Sequence, residues 1–215
     1  MKSKIRLDEI SQESVDSVKE SFNRLPKTNH LDGQYRLRRY SRVRINDTYE
    51  FSYFKLPQQE FNQSEHYNKH QGGMSRAFEE IEDDVVRSMG MLEMCDKFLE
   101  SGGFSADNEI EVHQMRIITL GEVTRTMVSP EGVHQDGYDF IAIVGIDRCN
   151  IYGGNALVYK TQGGKQIFDC PLQQGEMLMI DDRELWHNAG TITKINPDKQ
   201  GYMDAFILTA RKSNG

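Results

Sequence analysis

Two histidines and one aspartate are the residues whose types and spacing best suit chemistry in this chain. His134 and Asp136 stand two residues apart in the segment VHQDG, and His187 follows later. In a β-strand, residues i and i+2 point to the same side of the sheet, so His134 and Asp136 can reach one ion together. Two imidazoles and one carboxylate hold Fe(II) on one face and leave positions open for substrate and O₂. We therefore predict a metal site formed by His134, Asp136 and His187.

The same three residues also have plainer interpretations. His134 and Asp136 could form a hydrogen-bonded pair at the surface, since this spacing occurs by chance in many chains, or the fold could be a jelly roll without metal. The context favours metal binding, because His187 follows Trp186 and glycine pairs stand where turns are needed. His113 lies in an alternating segment. Because the triad is already complete, we interpret His113 as a structural residue or as one that supports the metal ligands without binding the metal.

Eight short strand candidates follow residue 109 and would position these ligands. Turn signals separate them and no helix pattern intervenes, which is typical of a β-sandwich or barrel. We predict a mainly β fold with flanking helices and a double-stranded β-helix core of the jelly-roll, cupin-like kind. The candidates are Glu109–Leu120, Thr126–Val133, Tyr138–Arg148, Asn155–Lys160, Lys165–Cys170, Glu176–Ile180, Glu184–Ala189 and Met203–Arg211.

Residues 1–109 have a mixed, helix-rich pattern. We expect one domain over residues 1–215, in which this first part packs on a jelly-roll core at 110–211. The polar segment 58–73 is expected at the surface or over a site. Two stripes of apolar residues recur at helical spacing: Val15, Val18, Phe22 and Leu25 before Pro26, and Phe78, Ile81, Val85, Met89, Leu92, Cys95 and Leu99 before Gly102.

Composition and charge exclude several classes of function. The 215 residues carry a formal net charge of −7, which argues against a nucleic-acid binder and against docking on anionic membranes. The first residues have no apolar core or cleavage site, so we expect no secretion signal. Three cysteines without C-x-x-C spacing suggest reduced thiols and a cytoplasmic location.

From residue 36 to residue 211 the chain resembles, in patches, the small Fe(II)/2-oxoglutarate dioxygenases. Within that group it is most similar to the bacterial branch that contains free-amino-acid hydroxylases such as the L-isoleucine dioxygenases. The segments that carry the likeness are RLRRYSR at 36–42, GGMSR at 72–76, VHQMR at 112–116, the H-x-D of His134 and Asp136, GGNAL at 153–157, PL-x-x-GEML at 171–178, Trp186-His187 and MDAFILTAR at 203–211.

The resemblance implies both a reaction and its cofactors. Fe(II) held by three protein ligands binds 2-oxoglutarate and O₂, and oxidative decarboxylation yields succinate, CO₂ and an oxidant able to attack an unactivated C–H bond. The likeness alone also suggests Gln114, Arg116 and Arg76 as residues of the site wall.

The distal carboxylate of 2-oxoglutarate favours the planar, two-pronged donor that arginine supplies. Arg211 lies on the last strand candidate, with Thr209 on the same face, and no arginine separates it from Arg183. Some relatives place an arginine at the start of that strand, where this chain has Met203. We predict Arg211 as the anchor and Thr209 as its hydroxyl partner, with Arg116 as the next candidate.

The arginine-rich segment 36–44 alternates with apolar residues, which suits a strand with one solvated face. Its functional interpretation is that Arg36, Arg38 or Arg42 reaches over the site and binds a substrate carboxylate. Trp186 and Arg76 are expected to shape the same pocket.

Taken together, the sequence predicts a dioxygenase that hydroxylates a small molecule, most readily a free L-amino acid, with O₂ as the second substrate. We expect no nucleic-acid or membrane partner and leave homo-oligomerisation open. The alternative is a jelly-roll sensor or binding protein that holds a metal such as Zn(II) or Ni(II) without turnover. A candidate 2-oxoglutarate arginine favours the enzyme, because a metal-binding module does not need one.

Overall fold

A seven-stranded antiparallel sheet is the larger layer of the fold. The computed structural model describes residues 4–46, 52–67, 70–121 and 125–212. The strands are β1 (Ile5–Glu9), β2 (Arg36–Asn46), β3 (Ser52–Lys55), β4 (Ile110–Ile118), β5 (Arg125–Thr126), β6 (Phe140–Cys149), β7 (Ile151–Gly153), β8 (Ala156–Tyr159), β9 (Gln166–Cys170), β10 (Glu176–Asp181), β11 (Trp186–Ala189), β12 (Ile192–Lys194) and β13 (Tyr202–Ala210). The helices are α1 (Gln12–Lys19), a 3₁₀ turn (Glu20–Arg24), α2 (Asp83–Val86) and α3 (Met89–Gly102).

The strands form one large sheet and two small ones. The large sheet has the order β1-β10-β6-β13-β4-β2-β3, and the small sheets have the orders β11-β8-β9 and β5-β12-β7. All the strand pairings recorded in the large sheet are antiparallel. Two smaller apolar clusters join residues of the large sheet to residues of the small ones. This is the mainly β, jelly-roll architecture that the sequence predicts.

The strands differ from the sequence prediction in several places, and the short β7 and β12 were not predicted. The predicted strand Thr126–Val133 is reduced to the two-residue β5, and most of it forms the turn that leads to His134. The first part of the chain is richer in strands than expected, because β1, β2 and β3 all extend the large sheet. Only the long, strongly alternating β2 had a strand signal in the sequence.

Helices α1 and α3 cover one face of the large sheet. Ser11 caps α1 and Ser88 caps α3, each by accepting a hydrogen bond from a backbone N–H of the first turn, and α3 ends at Gly103 in the left-handed region (φ 66°). The predicted second stripe is therefore broken between α2 and α3. The first stripe packs into the main core, together with Ile81, Val85, Leu92, Cys95 and Leu99 of the second. Two members of the second stripe do not: Met89 is 51% exposed, and Phe78 belongs to a small separate cluster with Tyr40 and Phe61. None of the helices in the described ranges has the length and apolar composition of a membrane span.

Candidate active site

The two histidines of the predicted triad lie side by side across a short backbone bridge. The N–H of His134 donates to the carbonyl of His187 (3.0 Å), and the N–H of His187 donates to the carbonyl of His134 (2.9 Å). His187 is held by β11, while His134 and Asp136 belong to the turn that precedes β6. One ligand atom from each residue lies within 4.8 Å of the others.

Asp136 sits between the two imidazoles. Nε2 of His134 lies 3.3 Å from Oδ1 of Asp136, and Nε2 of His187 lies 3.4 Å from Oδ2. Burial opposes the charged carboxylate, but the two neighbouring imidazoles lower the pKa of Asp136 well below its usual range. Burial likewise opposes a charged His187, but Asp136 and Asp182 raise the pKa of His187. Two nitrogen donors and one carboxylate that converge in this way fit Fe(II).

The other ring nitrogens of the histidines are directed away from the shared point. Nδ1 of His134 lies 2.8 Å from the carbonyl oxygen of Gly132, which is an acceptor only, so Nδ1 carries the proton and Nε2 is left free for a metal. Nδ1 of His187 lies 3.5 Å from Oδ1 of Asp182. Partners of this kind fix the orientation of metal-binding imidazoles.

Asp182 also fixes the backbone of the H-x-D turn. Its carboxylate accepts hydrogen bonds from the N–H groups of Asp136 (2.9 Å), Gly137 (2.8 Å) and Tyr138 (3.1 Å). The side chain of Asp182 is fully buried. Sequence reasoning missed this residue because its partners are backbone groups of a distant turn, which leave no pattern in the side-chain types.

The triad opens into a cavity on the face of the large sheet that the helices do not cover. In β4 the odd-numbered residues His113, Met115 and Ile117 line this cavity. The even-numbered Gln114 and Arg116 point to the helical side, where Gln114 donates to Ser21. The two-residue period of a strand therefore decides which neighbours can reach a ligand.

Several of the residues predicted for the site line the cavity. His134, Asp136 and His187 are joined there by Arg36, Arg38, Arg76 and Thr209. The hydroxyl of Thr209 is buried and has no hydrogen-bond partner in the described part of the chain. The loop predicted to lie at the surface or over a site reaches the triad, because Gln63 donates to Asp136.

Arg211, the predicted anchor of 2-oxoglutarate, does not line the cavity. Its side chain is exposed, its Nε donates to the carbonyl of Gly137 (3.1 Å), and its guanidinium lies over the ring of Tyr138 at 4.1 Å. Arg211 follows the last residue of β13, and Tyr138, over whose ring its guanidinium lies, lines the cavity.

The remaining candidates lie outside the cavity lining as well. Gln114 faces the helical side, as described above, and Arg116 is held in a bidentate ion pair by the buried Asp204, at 2.6 and 2.7 Å. Arg42 is on the cavity-facing side of β2 but beyond the cavity, where it pairs with Glu109 at 3.0 Å. Trp186 precedes His187 in β11 and therefore points to the opposite face of its sheet.

Arg148 is a cavity residue that sequence reasoning did not select. It lies on β6 directly opposite Met203. The register of β6 and β13 shifts between Asp204 and Ala205, so β6 carries an extra residue and Arg148 lines the cavity. Its Nη1 is buried and has no hydrogen-bond partner among the described residues, and burial lowers its pKa. A bulge of this kind is not visible in the sequence pattern.

The comparisons with solved structures agree with this fold. A bsmA homolog from Methylobium petroleophilum PM1 has a TM-score of 0.76 at 24% identity, over 93% of this chain and 81% of that one. IDO from Bacillus thuringiensis has a TM-score of 0.75 at 16% identity, over 97% and 94%. The Fe(II)/α-ketoglutarate-dependent dioxygenase TqaL has a TM-score of 0.70 at 14% identity, over 98% and 83%. At these identities the likeness shows the fold.

A comparison with curated proteins finds no match. The family model of the 2OG-Fe dioxygenases, in contrast, matches residues 19–209, which is most of the chain and includes the triad, Arg148 and the arginines of β2. On this ground the chain belongs to the 2OG-Fe dioxygenase family.

Proposed function

We propose that the protein hydroxylates a small carboxylate-bearing molecule, a free L-amino acid, at an iron centre held by His134, Asp136 and His187. The family uses Fe(II) and 2-oxoglutarate, and its members act with O₂. The observation that carries the proposal is the convergence of the three ligand atoms within 4.8 Å at the wall of a cavity that is also lined by Arg38 and Arg148, which have no ion-pair partner among the described residues.

The triad is suited to hold iron in a fixed orientation. His134 presents Nε2 because Gly132 fixes its tautomer, and Asp182 steadies both His187 and the turn that carries Asp136. When bound, the metal and 2-oxoglutarate supply the activation of O₂ that inserts one oxygen atom into a C–H bond. The protein's part is to hold both carboxylic acids next to that centre and to exclude water.

For the distal carboxylate of 2-oxoglutarate we infer that Arg148, and not Arg211, is the anchor. A buried guanidinium nitrogen without a partner is costly, and a carboxylate in the cavity would satisfy it with charge-assisted hydrogen bonds. Apolar side chains that include Ile143, Leu172 and Met203 line the same cavity, which suits the methylene groups between the two carboxylates. The orphan hydroxyl of Thr209 is a further donor within the same cavity.

A free amino acid is the substrate that the arginines of β2 and the covered cavity favour. Arg36 and Arg38 line the cavity together with Arg76, which belongs to the segment above the triad, and a small molecule with a carboxylate is complementary to such a wall. A peptide or protein would need an open groove. Phe61, Gln63 and Arg76 line the cavity, and Gln63 donates to Asp136 of the triad.

The experiment that tests this function is anaerobic reconstitution with Fe(II) and 2-oxoglutarate, followed by exposure to air with a library of free L-amino acids. We expect succinate release that depends on one or a few amino acids. His187→Ala should abolish both the metal-dependent binding of 2-oxoglutarate and the turnover. Full activity of that variant would contradict the assignment of the iron ligands.

A further inference from the structure

The side of the cavity formed by β2 carries more positive than negative charge. We define the substrate wall as Asp32, Arg36, Arg38, Arg76 and Glu131, which are all buried or nearly so. Three guanidinium groups stand against two carboxylates, so the wall has one positive charge without a counter-charge. Asp136 is not counted, because its charge belongs to the metal site.

Arg36 is neutralised within the wall. Its Nη1 donates to Oδ2 of Asp32 and, at 3.2 Å, to Oε1 of Glu131. Glu131 also accepts from the hydroxyl of Ser129 at 3.1 Å. Burial raises the pKa of Glu131, but the charge of Arg36 outweighs it and lowers that pKa to about 2. Both carboxylates of the wall thus form ion pairs with Arg36, while Arg38 feels their charge without a hydrogen bond to either.

Arg76 is held by neutral groups. Nη2 donates to Oε1 of Gln63 at 3.2 Å and Nη1 lies 3.5 Å from Oε1 of Gln71, while its guanidinium lies over the ring of Phe61 at 4.8 Å. These contacts fix its position without cancelling its charge. Arg76 therefore adds to the positive potential of the wall, and both of its terminal nitrogens already face glutamine oxygens.

Arg38 is the guanidinium without a polar partner of its own. Its one hydrogen-bond contact among the described residues is Nη2 to the sulfur of Met115 at 3.8 Å, and its carbon Cζ lies 5.1 Å from the ring centre of Phe78. The residue is 6% exposed and lines the cavity. Burial, together with the charge of Arg36, lowers its pKa to about 9, which still leaves it charged at neutral pH.

A buried cation without a partner costs free energy that an anionic ligand can recover. Arg38 is separated from Arg148 by strands β4 and β13, since the sheet order is β6-β13-β4-β2. Arg38 and Arg148, whose Nη2 donates to the carbonyl of Gly153 while Nη1 has no partner among the described residues, therefore lie in different parts of the cavity, and each can hold a different carboxylate.

We propose that Arg38 binds the carboxylate of the primary substrate in a two-pronged ion pair, and that this contact makes the enzyme selective for free acids over the corresponding amides and esters. The proposal rests on the proposed function, because it assigns Arg148 to 2-oxoglutarate and Arg38 to the molecule that is hydroxylated. Arg36 and Arg76 hold the wall in place around Arg38.

The test compares Arg38→Lys and Arg38→Met with Arg39→Lys. Arg39 is the next residue in β2, faces away from the cavity and pairs with Glu79 at 2.8 Å. The library contains the free L-amino acids and their carboxamides, and the readouts are substrate-dependent succinate release and the thermal shift of the Fe(II)- and 2-oxoglutarate-loaded protein under argon. Circular dichroism confirms that each variant is folded.

For the wild-type chain we expect a response to one or a few acids and none to their carboxamides. Arg38→Lys should raise the KM for the acid by about tenfold or more, since lysine keeps the charge but loses the fork geometry, and should leave the KM for 2-oxoglutarate within about twofold. Arg38→Met should lose the preference for acid over carboxamide, and Arg39→Lys should match the wild-type chain.

Three results would overturn the proposal. In Arg38→Lys, the KM for the acid could stay unchanged, or the KM for 2-oxoglutarate could rise while the KM for the acid does not. In the wild-type chain, acids and carboxamides could give equal responses, or both could give none. The proposed function is tested separately, by the metal-dependent stabilisation that 2-oxoglutarate gives in the absence of any amino acid. If this stabilisation is present and acids have no effect, Arg38 does not have the role proposed. If it is missing, the iron and cosubstrate assignment fails first.

Discussion

Nε2 of Gln63 donates a hydrogen bond of 2.9 Å to Oδ1 of Asp136. Oε1 of the same glutamine accepts from Nη2 of Arg76 at 3.2 Å. Gln63, in the polar segment between β3 and α2, therefore connects the metal ligand Asp136 to Arg76 of the substrate wall. A substrate that binds against this wall can thereby influence the orientation of the carboxylate that holds the iron.

Removal of this hydrogen bond should weaken the binding of Fe(II) and reduce the coupling between 2-oxoglutarate consumption and hydroxylation. In Gln63→Ala we expect the affinity for Fe(II) to fall by about tenfold, in the range found when partners of metal ligands are removed. We also expect more succinate to form per molecule of hydroxylated product. Gln58→Ala, in the same segment but bonded to the carbonyl of Phe78, is the control. Equal affinity and an equal product ratio in both variants would contradict a role for Gln63.

Asp182 should be necessary for the metal site although it is not expected to touch the metal. Asp182→Asn keeps the size of the side chain but loses the charge that receives three backbone N–H groups, so affinity for Fe(II) should fall by about tenfold to a hundredfold and thermal stability should decrease. Asp181→Asn is a matched control, because Asp181 pairs with the exposed Arg183. Metal titration and thermal unfolding of the two variants measure the difference, and indistinguishable variants would rule out this role.

The cosubstrate anchor is decided by comparing two arginines. In Arg148→Lys the charge remains but the fork is lost, so the apparent KM for 2-oxoglutarate should rise by roughly tenfold or more. In Arg211→Lys, whose side chain lies over Tyr138 outside the cavity lining, it should stay within about twofold. The steady-state dependence of succinate formation on 2-oxoglutarate separates the two. The reverse outcome would return the role to Arg211.

Glu131 should stabilise the folded protein at neutral pH and lose this effect in acid. Its pKa in the folded protein is lowered to about 2, so its contribution is present above the unfolded value of about 4.3 and is lost as the pH falls from there toward 2. Relative to Glu131→Gln, the wild-type free energy of unfolding should be higher by on the order of 3 kcal/mol near neutral pH, and the difference should shrink below about pH 4. Urea unfolding of both proteins at a series of pH values measures this. A difference that stays constant into the acid range would mean that Glu131 is not held by Arg36 as described.

The sequence predicts those parts of the fold and the site that depend on periodicity. Alternation in β2, β4, β6 and β13 and the two apolar stripes lead to the sheet and to its helical cover. His134, Asp136 and His187 do converge as predicted, although His134 and Asp136 lie in a turn and not on the same face of a strand. Thr209, Arg36 and Arg38 reach the cavity because they occupy the expected parity of their strands.

What the sequence does not predict depends on irregular features and on contacts between distant segments. The extra residue in β6 turns Arg148 into the cavity, and no residue type marks such a bulge. Gln114 and Arg116 resemble site residues by motif, but strand parity turns them to the helical side. Asp182 and Gln63 act through groups that are near only in the folded chain. Arg211 has the expected residue type but lies one position beyond the end of its strand.

The central claim is that iron held by His134, Asp136 and His187 oxidises a free amino acid at the expense of 2-oxoglutarate. The most direct measurement is mass spectrometry of the amino-acid library after reaction under isotopically heavy O₂ with Fe(II) and 2-oxoglutarate. We predict that one amino acid gains a single heavy oxygen atom, that succinate appears with it, and that neither product forms with His187→Ala. Consumption of 2-oxoglutarate only with a peptide, nucleobase or lipid would contradict the substrate, and unlabelled or His187-independent product would contradict the iron-based mechanism.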